Sequence, residues 1–375
     1  MSEYRHISKK KILILANFDI GLYKFRKALI RRLIESDNQV YISLPWGEYV
    51  PELEKMGCIF LDTPLERRGM NPVRDLKLFH QYWKMLKKIQ PDLVISYTIK
   101  PNIYGGMACG LRGTDYAVNI TGLGTAIESG GMLQKLVFSL YRIALRKARV
   151  VFFENQDNRN VLVSANIVPM DKTVVLNGAG VDTAEYPALP YPSDGPIHFL
   201  FVGRIMKEKG VDELFSAMKL LKKHYGDQIV LDVVGLFEES YEETINELIR
   251  DGTVVFHGYQ SDMLPFYQAA HCVVLPSYHE GMSNVLLEAA SSGRAVITSN
   301  IHGCMEAVQD GISGYLCKVK DADDLHIQMG RFMQLSHAEK KHFGDMGRAH
   351  MLANFEKEKI VDRTISAIIQ NTENA

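Results

Sequence analysis

Short β-branched and apolar runs alternate with longer stretches of helical periodicity from one end of the chain to the other, the pattern of βαβ units laid on a parallel sheet. In the first half, the runs predict strands at KILILA (11–16), QVYISL (39–44), CIFLD (58–62), DLVISY (92–97), YAVNI (116–120) and VVFFE (150–154). Helix-length segments lie between them around residues 23–35, 72–89, 101–112 and 132–147. A second series follows at IHFLFVG (197–203), IVLDVVG (229–235), TVVFHG (253–258), CVVLP (272–276) and AVITS (295–299). The expected fold class is therefore α/β, with two doubly wound domains in series.

Between the two series, YPALPYPSDGP (186–196) holds Pro187, Pro190, Pro192 and Pro196. That composition sustains neither a helix nor a central strand, so the segment reads as a linker between domains at 1–185 and 197–354. After Phe355, the amphipathic run EKEKIVDRTISAIIQ (356–370) predicts a terminal helix within 355–375 that needs an apolar surface to cover.

Composition adds limits. With 375 residues, 46% of them hydrophobic and 23% charged, the chain is neither disordered nor collagen-like. The balance of 43 Lys and Arg against 44 Asp and Glu gives no reason to expect nucleic-acid binding. It hides an asymmetry: residues 1–185 carry 26 basic and 18 acidic side chains, the remainder 17 and 26, so the halves are expected to meet different partners. Cys58, Cys109, Cys272, Cys304 and Cys317 show no C-x-x-C spacing, and MSEYRHISKKK lacks the apolar core of a signal peptide, which points to a reducing cytosol. No run approaches the ~18 apolar residues that span a bilayer, so membrane contact would be peripheral.

In doubly wound sheets, ligands settle at the carboxyl ends of the strands, where helix N-termini offer free N–H groups. Two such domains suggest half-sites across a central cleft. After IHFLFV comes Gly203-Arg204-Ile205-Met206-Lys207-Glu208-Lys209-Gly210. The planar fork of Arg204 and the point charge of Lys209, beside a helix start, suit a diphosphate, although a solvated charged turn would look the same. The segment PSYHEGMSNVLLEAASSG (276–293) is more specific. Glu280 lies in the loop after a buried strand, Gly281 permits close backbone approach, and Ser283 can cap the next helix. Glu288 sets a carboxylate within an otherwise apolar helix, a charge that sugar hydroxyls or a cation would compensate. The Gly122-Leu123-Gly124 turn is either an acceptor mouth or a plain tight turn. His302 and Cys304 lack further ligands at metal spacing, so no metal site is expected. Neither first loop contains G-x-G-x-x-G, which argues against an NAD dehydrogenase.

Taken together, Glu280-x7-Glu288 with Arg204 and Lys209 upstream resembles the donor site of retaining glycosyltransferases of family 4, whose fold is GT-B: two Rossmann-like doubly wound domains facing a central cleft. The likeness runs through NFDIGLYKFR (17–26), KPNIYGG (100–106), NITGLGT (119–125) and GCMEAVQDGISGYL (303–316), nearly the whole chain. Within the family, the chain is most similar to bacterial enzymes that build capsular, O-antigen or N-linked glycans on undecaprenyl diphosphate. The resemblance implies that 1–185 binds the acceptor, that 197–354 binds a nucleotide sugar such as a UDP-sugar, and that the final helix returns to the first domain. It implies that Arg204 and Lys209 clamp the diphosphate and stabilise the leaving group without a metal or other cofactor. Glu280 would contact the transferred sugar, backbone N–H groups of Gly281, Met282 and Ser283 would hold its hydroxyls, and Glu288 would grip the ribose. Gly21, in the first strand-to-helix loop, would admit the donor phosphates. The acceptor would attack the front face while the departing phosphate oxygen takes its proton. Glu280 and Glu288 are thus not a glycosidase pair, which in retaining enzymes stands about 5–5.5 Å apart.

Ile99 stands where many relatives carry a histidine. Lys100 is a candidate contact for an acceptor phosphate, or else an exposed strand-end lysine. Arg67, Arg68, Arg74, Lys77, Lys84, Lys87 and Lys88 interleave with apolar residues over 64–90, and Lys135, Arg142, Arg146, Lys147 and Arg149 do so over 132–149. Such helices lie on anionic lipid or simply cover a sheet. With the basic first half and the implied acceptor, a polyprenyl-diphosphate-linked saccharide, the expectation is peripheral association with the inner face of the cytoplasmic membrane. Two other readings are a nucleotide-sugar epimerase of the same architecture, which the Glu280/Glu288 spacing disfavours, and a non-catalytic nucleotide-sugar-binding scaffold subunit.

Overall fold

The computed structural model describes residues 7–66, 69, 71–123 and 131–373. The chain forms two compact units, Met1–Ala179 with Glu358–Ala375, and Gly180–Lys357. In the first unit, strands β1 (Lys11–Leu15), β2 (Gln39–Leu44), β3 (Ile59–Asp62), β4 (Leu93–Tyr97), β5 (Tyr116–Ile120), β6 (Val150–Phe153) and β7 (Thr173–Val175) lie parallel in the order 3-2-1-4-5-6-7. In the second, β8 (Ile197–Val202), β9 (Ile229–Val234), β10 (Val254–Phe256), β11 (Cys272–Leu275), β12 (Ala295–Ser299) and β13 (Gly314–Cys317) are parallel in the order 10-9-8-11-12-13. All the strands expected from the sequence form; β7 and β13, both at sheet edges, are additional.

Helices α1 (Asp19–Glu35), α2 (Val50–Lys55), α3 (Pro72–Ile89), α4 (Gly106–Arg112), α5 (Gly131–Leu145) and α6 (Gln156–Ser164) belong to the first unit. The second holds α7 (Val211–Tyr225), α8 (Glu242–Arg250), α9 (Leu264–Ala269), α10 (Asn284–Ser291), α11 (Ala322–Gln334) and α12 (His337–Asn354). The central strands are buried on both faces, which is why they read as continuous apolar runs rather than alternating ones. In β1, Ile12 and Ile14 enter one core cluster and Leu13 and Leu15 another, so the sheet is covered on both sides.

The last helix, α13 (Lys357–Glu373), buries Ile360, Val361, Ile365 and Ile368 in the core cluster that holds Ile12, Ile14, Leu29 and Ile30. Each such burial contributes about 1.5–3 kcal/mol. Arg32 of α1 pairs with Asp362 at 2.7 Å and with Glu358, fixing the helix's rotation. Among the described residues, no helix is long and apolar enough to cross a membrane.

One boundary differs from expectation. The division falls at Ala179–Gly180, and the proline-rich segment packs on the second unit rather than linking two bodies. Tyr186 and Leu189 lie against that unit's core, and the Leu189 N–H donates to the Ser292 carbonyl. Arg294, fully buried, donates to the carbonyls of Pro190 and Tyr267 at 2.6 Å each. A proline-rich backbone has few N–H donors but keeps its acceptors, and a buried guanidinium with five donors satisfies them. Burial brings the Arg294 pKa down to about 10.

Beside it, His271 is buried, accepts the His198 N–H at 3.1 Å on Nδ1, and stacks edge-on against Tyr191. Burial pushes its pKa down to about 4, with His198, His337 and Lys340 adding like charge. The neutral ring is favoured in the folded state and protonates near 6.5 when unfolded. Its stabilisation is complete above that value and is lost as pH falls toward 4, on the order of 3 kcal/mol. Urea midpoints between pH 7 and 4.5 should fall less steeply for His271→Asn than for the wild type; parallel profiles would remove His271 as a source of acid lability.

Candidate active site

In each sheet the chain winds first to one side and then to the other, so the switch points lie between β1 and β4 and between β8 and β11. The loops leaving those four strands hold most of the residues singled out from the sequence.

After β8 the chain runs through Arg204 to a tight turn, Lys207–Lys209, and then into α7. Gly210 has φ +71°, and a Cβ there would stand 2.1 Å from the Pro276 carbonyl oxygen, so only glycine lets this turn approach the loop after β11. The Tyr278 N–H donates to the Glu208 carbonyl at 2.9 Å and clips the two loops together. Lys209 Nζ thereby reaches Glu280 Oε1 at 2.5 Å, and Ser277 Oγ donates to the same oxygen at 2.9 Å. The pair is sheltered, with side-chain exposures of 18% and 14%. Arg204, on the same turn, is 49% exposed, with Nη1 3.5 Å from Glu238 Oε1.

Glu280, Gly281, Met282 and Ser283 form the loop into α10. Ser283 occupies the N-cap position but its side chain makes no capping bond there. Its backbone N–H donates to the Gly303 carbonyl at 2.8 Å, so this amide, expected at the sugar hydroxyls, is already engaged. Gly303, after β12, has φ +92°; a Cβ would lie 2.4 Å from the Glu280 carbonyl oxygen. The Cys304 thiol beside it is fully buried, and its pKa is raised by burial first and by the Glu280 carboxylate next. His302 Nδ1 hydrogen-bonds Glu306 Oε1 at 2.6 Å.

Glu288 is half-buried in α10, and its compensation comes from within the protein. Tyr267 donates its hydroxyl to Glu288 Oε2 at 2.9 Å, and Tyr186 also hydrogen-bonds the carboxylate. Burial, reinforced by Glu288, drives both tyrosine pKa values far upward, so both hydroxyls stay protonated as donors. Neither tyrosine stands out in the sequence, since each sits at an apolar position and shows nothing of its hydroxyl's partner. Ser277 likewise gives no sign in the sequence of its bond to Glu280.

In the first unit, Gly21 lies in the first turn of α1 rather than in the loop before it. A Cβ there would meet the Phe18 ring at 2.7 Å, so the glycine makes room for that ring. Lys100 is not an exposed strand-end lysine: its Nζ pairs with Asp75 Oδ1 at 2.9 Å, and both side chains are largely buried. Thr98, between β4 and Lys100, has φ +71°, a costly conformation for a β-branched residue and one that clusters at functional sites. Among the described residues, Asn17 Oδ1, Ser96 Oγ and Thr98 Oγ1 are buried without a hydrogen-bond partner. Unsatisfied buried oxygens cost about 1–3 kcal/mol each; of the eight among the described residues, these three lie at the carboxyl ends of β1 and β4. Arg67, Arg68 and Gly124 lie outside the described residues. α3 and α5 cover the sheet with Leu78, Tyr82, Val137 and Tyr141 and leave Leu76 and Ile143 exposed.

The second unit thus offers a guanidinium and a carboxylate-paired ammonium on one turn, suited to polyanionic phosphate, with carboxylates at Glu280 and Glu288 suited to hydroxyls. The family described as Glycosyl transferase 4-like matches residues 11–155, and Glycosyl transferases group 1 matches residues 190–350. The N,N'-diacetylbacillosaminyl-diphospho-undecaprenol alpha-1,3-N-acetylgalactosaminyltransferase of Campylobacter jejuni is 26% identical over 341 residues, 86% of this chain and 89% of that protein. The UDP-Gal:alpha-D-GlcNAc-diphosphoundecaprenol alpha-1,3-galactosyltransferase of Escherichia coli is 28% identical over 283 residues, 70% of this chain and 71% of that protein. Among solved structures, Anabaena HepE in complex with UDP and glucose aligns with a TM-score of 0.78 at 17% identity, over 96% of this chain and 100% of HepE.

Proposed function

The chain belongs to the glycosyltransferases, with a 4-like region followed by a group 1 region, and on that premise we propose that it is a retaining enzyme carrying a hexosyl or N-acetylhexosaminyl unit from a UDP-sugar to an undecaprenyl-diphosphate-linked saccharide. The observation that carries this reading is the Lys209–Glu280 pair, which joins the loops after β8 and β11 at a switch point, with Arg204 on the same turn.

Lys209 has three N–H donors, so it can hold Glu280 with one and phosphate oxygens with others. Arg204 adds a planar fork. Both meet negative charge as it grows on the departing diphosphate, where a fixed donor acts most strongly. The bond from the anomeric carbon to the phosphate oxygen breaks, the bond to the acceptor oxygen forms on the same face, and the acceptor proton passes to the departing phosphate oxygen. Glu280, held by Ser277 and Lys209, orients the sugar; Glu288, oriented by Tyr267, takes the ribose hydroxyls. In the first unit, the unpartnered oxygens of Asn17, Ser96 and Thr98 suit a hydroxyl-rich acceptor, and the basic charge balance suits work at the inner face of the cytoplasmic membrane.

The test is incubation with a panel of UDP-sugars and lipid-linked saccharides, following UDP release and product mass. Acceptor-dependent release with a product heavier by one sugar is expected. Donor isomerisation alone, or saturable donor binding without turnover across the panel, would overturn the assignment.

A further inference from the structure

Helices α3, α4 and α5 of the first unit enclose a groove of about 610 Å³ on their side away from the sheet. That volume falls within the range of about 300–1,000 Å³ in which small molecules are held. Its walls are apolar: Leu76 and Phe79 from α3, Met107 and Leu111 from α4, and Ile143 from α5. Leu76, Leu111 and Ile143 are 67%, 69% and 62% exposed, a concentration of large apolar side chains that contributes nothing to the core and that soluble surfaces rarely gather without a partner.

The groove has chemically distinct ends. Pro72 and Asp75 open α3, and Tyr104 precedes α4, so this end lies toward the carboxyl ends of the strands. Asp75 carries the Lys100 ion pair and also hydrogen-bonds Tyr104, whose pKa is pushed up to about 12 by burial and that carboxylate. The other end lies where α4 and α5 finish, with Arg146 and Lys147 at the rim; Lys147 Nζ donates to the Gly110 carbonyl at 2.9 Å.

We infer that this groove seats the isoprenoid chain of the acceptor lipid, its sugar-bearing diphosphate end directed past Lys100 toward the unpartnered oxygens after β4 and its tail leaving past Arg146 and Lys147. The inference rests on the acceptor proposed above. A concave apolar wall fits one chain lifted out of a bilayer, whereas a flat or protruding face would fit the bilayer itself. The soft walls of Met107 and Phe79 adapt to a methyl-branched, unsaturated chain. The two cations stand where the tail would re-enter a layer of anionic headgroups, which is the charge complementarity a lipid surface supplies.

The experiment titrates the full-length protein with geranylgeranyl diphosphate, with inorganic pyrophosphate and anionic phosphatidylglycerol vesicles as comparison probes. Saturable binding of geranylgeranyl diphosphate that pyrophosphate does not match is expected. Leu111→Glu and Ile143→Glu, at exposed positions, should each weaken it by roughly tenfold or more, since each sets a carboxylate against the chain. Thermal melting and UDP-sugar affinity should be unchanged, and Leu111→Met should bind as the wild type does. Absence of binding by the wild type overturns the proposal. So do variants that keep their affinity for geranylgeranyl diphosphate while losing vesicle binding, because the groove is then a bilayer contact. Lipid-linked saccharides glycosylated by the variants at unchanged KM sink the groove alone; no transfer to any such acceptor, with the probe still bound, sinks the acceptor reading and with it the identity of the occupant.

Discussion

Lys209→Ala is expected to lower kcat by about 10²–10³-fold, the range found when one preorganised donor to developing negative charge is removed. Two features put the effect at the upper end. The ammonium is sheltered from solvent, so water replaces it poorly, and it sits 2.5 Å from Glu280. Its loss removes the cation that balances that carboxylate beside an incoming diphosphate and turns an attraction into a repulsion. Arg204→Ala should cost less, because Arg204 is half exposed and 3.5 Å from its nearest carboxylate partner. Lys209→Arg keeps the charge but changes its reach, so it should recover part of the rate. Initial rates at saturating donor, with thermal melting to confirm an intact fold, decide the matter. A Lys209→Ala enzyme within twofold of the wild type would remove Lys209 from the mechanism.

Gly303→Ala should do comparable damage without touching a charged group. The added Cβ would be 2.4 Å from the Glu280 carbonyl oxygen and 2.8 Å from that of Gly281, at φ +92°. Those are backbone atoms and cannot swing aside, so the whole loop that presents Glu280 must move. The strained dihedral costs about 1–3 kcal/mol, and loss of the Ser283–Gly303 hydrogen bond adds about 1 kcal/mol. Urea denaturation should show a loss of about 2–4 kcal/mol, and donor titration at least a tenfold weaker UDP-sugar complex. Unchanged donor affinity would mean that the loop after β12 does not position Glu280.

Much of the architecture was legible because a parallel strand buried on both faces leaves an unbroken apolar run. β7 and β13 do not stand out in the sequence: all three residues of β7 are half-buried, so it lacks the buried run that marks a central strand, and β13 is an edge strand of four residues. β13 also begins at Gly314, where a Cβ would stand 1.8 Å from the Val296 carbonyl oxygen, so the residue that reads as a breaker is what admits the strand. The helical periodicity begins at Tyr23, four residues inside α1, so Gly21 reads as loop although it stands in a helical turn. Proline content reported the absence of a regular ladder between 186 and 196 and said nothing about packing, which depends on Arg294 a hundred residues on.

At the site, Arg204, Lys209, Glu280 and Glu288 stood out because charged residues follow buried strands. The pairing of Lys209 with Glu280 did not, since it depends on β8 lying beside β11 across an intervening two-strand excursion. The need of Glu288 for compensation was legible, but its donors were not. Tyr186 and Tyr267 look like core aromatics until the fold brings their hydroxyls to the carboxylate.

The position of α13 bears on how the molecule is made. Residues 180–357 are contiguous, so that unit has all its parts as soon as they leave the ribosome. The first unit is translated earlier but lacks one wall until the closing segment, Glu358–Ala375, has emerged. Domains ordinarily fold from the N-terminus as synthesis proceeds. Here the half that is born first is completed last, and until then the apolar stripe that α13 covers stays open to solvent.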